Sequence, residues 1–124
     1  MIAATLNNQQ YSFEADVVAV DAKISYVAGV PSVARGNRAV ASVSDDGAGL
    51  FTLTFNHGFT TFLGMNMIVG SATSEDLTAQ VKAMDLNAKT IQIELQTAGS
   101  AADPSADCDI YLNFRFGATS VNMG

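Results

Sequence analysis

The chain has 124 residues and a mass of 12.9 kDa, the size of one domain, and such a length can bury a core without disulfides or metals. Twelve acidic against six basic residues give a net charge of −6 and a pI near 4.3, which argues against a nucleic-acid partner, since phosphate neutralisation supplies most of that affinity. The single cysteine, Cys108, excludes an intrachain disulfide.

The N-terminal residues Met1-Ile2-Ala3-Ala4-Thr5 lack the positive start and long apolar core of a signal peptide, so the protein is expected to be made and used without crossing a membrane by that route. Residues 11–14 and 17–20 read as short strands: Tyr11 and Phe13 alternate with Ser12 and Glu14, and Ile2 and Leu6 are apolar anchors in a segment too polar to fold alone. Two readings stand for residues 1–21. They form an extended N-terminal arm that pairs with the sheet edge of a neighbouring subunit, or residues 10–20 are edge strands of the protein's own sandwich. From residue 22 to 38 the pattern fades, with Gly29, Pro31 and Gly36 interrupting it, and an irregular linker loop is expected. Its Arg35 and Arg38 are a close basic pair, read either as contacts to acidic residues of a partner or as a solvated loop.

The main domain is expected over residues 39–124. It begins with a strand at residues 39–44 and a turn at Asp45-Asp46-Gly47. Phe51, Leu53 and Phe55 then alternate with Thr52 and Thr54, the pattern of a strand with one buried face. Residues 66–71 and 78–84 suit further strands, whereas residues 59–65 and 74–80 have room for no more than a helical turn, with Ser74 as its cap and Glu75-Asp76 in the first turn of the second. After a turn at Asn87-Ala88, Ile91, Ile93 and Leu95 alternate with Gln92, Glu94 and Gln96. Residues 97–107, rich in Ala, Ser and Gly, are expected to be a mobile tip. In the last strand Ile110, Leu112, Phe114 and Phe116 face one way, and Tyr111, Asn113 and Arg115 the other. About eight short strands predict an all-β chain, a small antiparallel β-sandwich or jelly-roll-like domain, with Val81 joining the apolar residues of the three clearest strands in its core.

The search for reactive chemistry leaves little. His57, in Asn56-His57-Gly58, has no nearby Cys, Ser or second His and reads as a turn residue. Cys108 lies between Asp107 and Asp109, whose charge disfavours a thiolate, and reads as a structural residue at a strand start. Asp103, Asp107 and Asp109 have the donors for a calcium ion, yet their spacing misses the EF-hand loop, so a solvated acidic loop is the preferred reading. No phosphate loop, Cys pair or Gly-x-Ser-x-Gly elbow occurs. No enzyme, cofactor or metal is expected.

The surface carries the signal instead. Charged residues are 15% of the chain, well under the roughly 25% of a typical soluble domain. Residues 47–74 contain none, but Thr52, Thr54, Asn56, His57, Thr60, Thr61 and Asn66 interrupt that run before the roughly 20 apolar residues a membrane-spanning helix needs. Either the run belongs to a sheet buried on both faces, or it is a contact between subunits, where charge is depleted. Phe59, Phe62, Met65 and Met67 are its candidate contact residues.

The succession Ala41-Ser42-Val43-Ser44, Gly47-Ala48-Gly49-Leu50-Phe51-Thr52-Leu53-Thr54-Phe55, Ala79-Gln80-Val81, Asn87-Ala88-Lys89-Thr90-Ile91 and Ala98-Gly99-Ser100-Ala101-Ala102-Asp103-Pro104 resembles the small capsid decoration, or cement, proteins of tailed bacteriophages. Their strand "Gly-x-Gly-Leu-Tyr-Thr-Val-Thr-Leu" has Phe51 here at the Tyr position. The resemblance spans about residues 39–118, and its motifs are hairpin motifs of moderate specificity. It implies a virion structural protein made in the host cytoplasm and bound to the outer surface of the major capsid protein shell, which it stabilises as a homo-oligomer, a trimer being favoured over a dimer. Another virion part, such as a head fibre, neck or tail protein, and a small ligand- or sugar-binding β-sandwich are the alternatives. No membrane partner is expected.

Overall fold

In the computed structural model, which describes residues 17–33 and 39–118, nine strands form two antiparallel sheets with one core between them. The first sheet contains β1 (Val17–Val27), β2 (Val30–Val33), β5 (Phe59–Gly70) and β9 (Cys108–Ala118), in the order β2-β1-β9-β5. The second contains β3 (Val40–Gly47), β4 (Leu50–Phe55), β6 (Thr78–Asp85) and β7 (Thr90–Thr97), in the order β3-β4-β7-β6. The two-residue β8 (Ser100–Ala101) pairs with β7. The described chain is thus the all-β sandwich that the alternation predicts.

Period-two alternation fixes which residues face the core, because a one-residue slip would turn the whole apolar set outward. Phe51, Leu53 and Phe55 of β4, Ile91, Ile93 and Leu95 of β7, and Ile110, Leu112, Phe114 and Phe116 of β9 are all buried. Each such side chain contributes about 1.5–3 kcal/mol relative to exposure. Val81 is only partly buried at the flank of this cluster. Phe55 carries the contact between sheets at one end, its ring meeting Phe114 at 5.3 Å and Phe116 at 5.5 Å in edge-to-face geometry. At the other end Tyr26 and Phe51 do the same at 6.1 Å.

The N-terminal half departs most from expectation. Residues 22–27 are the second half of β1, and residues 30–33 form β2, so the expected linker is in large part a hairpin. Its turn, Ala28-Gly29, has positive φ at both residues (53° and 78°), the twist that a two-residue hairpin needs. Val17–Val20 pair with Phe114–Gly117 of β9 within the protein's own sandwich, and since β2 covers only Ile24–Val27, they have no strand on their other side among the described residues. Val20, Ala22, Ile24 and Tyr26 are core residues that pattern reading missed. The strand expected at residues 11–14 falls outside the described residues.

Smaller corrections concern turns and helical turns. The β3–β4 turn is Ala48-Gly49, because β3 continues through Asp45 and Asp46 to Gly47 with a bulge. Around Asn87-Ala88 the turn spans residues 86–89, and the positive φ falls on Lys89 (64°). Residues 59–65 belong to β5, and residues 74–77 run irregularly into β6, so neither makes a helical turn. The 97–107 segment contains β8 and is tied down by Ala102 N–H donating to the Leu95 carbonyl at 3.0 Å.

The registers sort the connections by end. Turns 28–29 and 48–49, the link from β5 to β6 and residues 98–107 lie at one end. At the other, β1 and β3 begin and β9 finishes. Val17, Ala39 and Ala118 therefore lie at this second end, whereas β2 stops at Val33 opposite Ile24, nearer the first.

Candidate interaction surface

Of the residues that the sequence marks for contact, Phe59, Phe62, Met65 and Met67 are described, and two regions of the surface bear on them. The first is the flank of β5, an edge strand of twelve residues without a charged side chain. Phe59, Phe62, Met65 and Met67 sit on it half-buried, packed against the core, with Phe59 stacked on Phe116 at 4.1 Å. They shape the strand from beneath. The side chains offered outward are Leu63, 46% exposed, and Ile68, 69% exposed. Strict alternation from Met65 through Met67 to Val69 would have found Ile68 on the outer face; the bulge between Phe62 and Gly64 hides the parity of Leu63.

Beside Ile68 the register places Tyr111 of β9 and then Lys23 of β1. Lys23 Nζ lies 5.5 Å from the centre of the Tyr111 ring and 3.8 Å from the Asp109 carboxylate. The ring also lies over Gly70, where a Cβ would come within 2.9 Å of it, so glycine is required for this close approach. Asn113 donates to Asp21 at 2.6 Å in the next row.

The second region is the end of the sandwich where the chain enters and leaves. Phe59 lies here, while Ile2, Leu6, Tyr11 and Phe13, and the pair Arg35 and Arg38, lie outside the described residues. His57 is exposed in the bend between β4 and β5 at the same end.

At the opposite end carboxylates bind the loops together. Asp103 accepts the Gly49 N–H at 2.7 Å, Asp107 the Ala28 N–H at 2.9 Å, and Asp109 the Ser25 hydroxyl at 2.9 Å. Glu75, expected at a helical turn, instead accepts the Ser105 hydroxyl at 2.9 Å and the N–H groups of Ser105 and Ala106 at 3.2 Å each. The aspartates thus serve different turns, and among the described residues no three His, Cys, Asp or Glu side chains are grouped to hold a metal ion. Cys108 is buried at the first position of β9, and its thiol is pushed up by burial and then by the charges of Glu75, Asp109 and Asp107, which keeps it neutral and unreactive.

The outer face of the second sheet is a polar network. Asp46 accepts from Ser44, Thr52 and Gln92, Gln96 donates to Gln80 and to Glu94, and Lys82 lies 3.9 Å from Glu94. Thr52 and Thr54 of β4 are half exposed here, so the charge-free run from residue 47 to 74 is not a sheet buried on both faces. It divides between a central strand of one sheet and the edge of the other. The described residues contain no helix long and apolar enough to cross a membrane.

No family model matches the chain, and neither a curated protein nor a solved structure does.

Proposed function

We propose that the protein is a bacteriophage capsid decoration protein, a non-enzymatic module that binds the outside of the major capsid protein shell and stabilises the head. The observation that carries the reading is the division of labour between the two ends of the sandwich. One end is closed by carboxylate-bound loops, and at the other β1 and β3 begin and β9 finishes beside the aromatic group of Phe55, Phe59, Phe62, Phe114 and Phe116. A module that stands on a shell needs one end to meet the surface below it, where strand-to-strand pairing can hold it. The resemblance of residues 39–118 to decoration proteins supports the same reading, as does a surface whose side chains are bound to one another rather than arranged around a reactive group.

The test is to add the labelled protein to undecorated heads of the virus that encodes it and to image the particles. Copies spread over the whole shell are expected, with occupancy falling when residues 1–9 are removed. Copies confined to one vertex would assign the protein to a neck or tail, and absence of binding would overturn the proposal.

A further inference from the structure

The four strands at the sheet edges are protected unequally. Edge strands expose unpaired N–H and C=O groups, and proteins blunt them with proline, charge, bulges or short length. β2 is four residues long and contains Pro31. β3 carries Asp45 and Asp46 and is irregular in register near both ends. β6 has Lys82 at an irregularity and ends on Asp85. β5 has twelve residues with neither charge nor proline, and its two irregularities fall before Met65. From Met65 to Gly70 it pairs with β9 in unbroken register, and its other side has no strand partner among the described residues.

We infer that two copies of the chain associate by antiparallel pairing of β5 with β5 of the second copy, joining their β2-β1-β9-β5 sheets into one continuous eight-stranded sheet. Three observations select a second copy as the occupant. First, β2, β3 and β6 are blunted in these ways, and the stretch of β1 that β2 leaves uncovered, Val17–Lys23, carries Asp21 and Lys23, so the edge best able to receive β5 is another β5, and like pairing with like is isologous and closes as a twofold dimer. The same argument disfavours a trimer, which needs two different surfaces to meet. Second, each copy carries a net charge of −6, and the β5 flank is where two copies can approach without setting like charges opposite each other. Third, the outward residues Leu63 and Ile68 gain apolar cover from such a neighbour. The inference rests on the edge itself and does not require the capsid reading.

Sedimentation velocity on the full chain in low salt, from micromolar to millimolar concentration, tests it without any capsid. The parent chain is expected to sediment as a reversible dimer. The variant N66K/I68K changes two outward, exposed positions of β5, so it should keep the parent melting temperature while its dimer weakens by at least about tenfold. A control with the same added charge on β6, T78K/A83K, should remain dimeric. Amide exchange should show the outward N–H groups of residues 65–70 protected in the dimer and open in the N66K/I68K monomer. A parent that is monomeric throughout, a trimer, a dimer indifferent to the β5 lysines, or equal loss in the β6 control would each overturn the inference. A monomer whose β5 amides are nonetheless protected would also overturn it and would assign the edge to residues before Val17.

Discussion

Individual backbone positions carry more constraint than the sequence advertises. Gly49 has φ of 68°, and a Cβ there would lie 2.6 Å from both the Ala102 and the Leu95 carbonyl oxygens. Gly49→Ala should cost roughly 3 kcal/mol or more, since neither backbone can retreat from the turn without losing hydrogen bonds. Ala98 shows the opposite case, an exposed alanine at φ of 53° in the two-residue turn between β7 and β8. Ala98→Asn should raise stability by up to about 1 kcal/mol, because asparagine tolerates that conformation better. Denaturant midpoints at unchanged slope would measure both. Tyr26 carries a different cost: it is buried, its hydroxyl has no hydrogen-bond partner among the described residues, and burial followed by the charges of Asp103 and Asp45 pushes its pKa well above the usual value. Tyr26→Phe should therefore be neutral or stabilising by about 1 kcal/mol, and a loss of more than that amount would reveal a partner for the hydroxyl.

Among the elements, the strands of the second sheet tie their outer faces together through Asp46. Its carboxyl is held below the usual carboxylate range, chiefly by the Thr52 hydroxyl and then by Gln92 and Ser44, against a smaller opposing effect of burial. A depressed folded-state pKa stabilises the fold above the unfolded value, near 3.9, and that contribution disappears as pH falls through the folded value. Melting temperatures between about pH 2 and pH 5 should thus fall less steeply for Asp46→Asn than for the parent. The difference should be well under about 1 kcal/mol, because the group is exposed and solvent screens it. Strand alternation made Asp46 legible as a polar residue near a turn, but its partners Thr52 and Gln92 come from other strands, and nothing local links them to it.

On the scale of the whole molecule, β1 decides how much of the N-terminus is dispensable. Val17–Val20 pair with β9 and Val20 is buried, while Ile24–Val27 of the same strand lie between β9 and β2. Removal of residues 1–9 should leave the melting temperature of the sandwich unchanged, whereas removal of residues 1–21 should unfold it, as circular dichroism melts of the two chains would show. A longer deletion that melted like the parent would mean that β9 can pair without β1, contrary to the topology. This also limits any capsid-binding experiment to the shorter deletion, since loss of occupancy in the longer one would report unfolding.

The amino-acid sequence by itself determined the fold class and the inward faces of β4, β7 and β9, because a period of two encodes which side chains share a face and Phe51, Ile93 and Phe114 keep that period without a break. The same signal was present in β1, where Ala22, Ile24 and Tyr26 alternate with Lys23 and Ser25, but Gly29 and Pro31 read as the punctuation of a loop when they belong to a hairpin turn and an edge strand. Only the tertiary structure decided which strands lie side by side. Pairing of β1 with β9 joins residues some ninety positions apart, as Val20 with Phe114, and the two halves of the charge-free run from residue 47 to 74 go to different sheets. Periodicity names the face a residue occupies and is silent about its neighbour across the ladder. The edge of β5, without a strand partner among the described residues, is a property of that neighbour relation, set by long-range packing of the whole core.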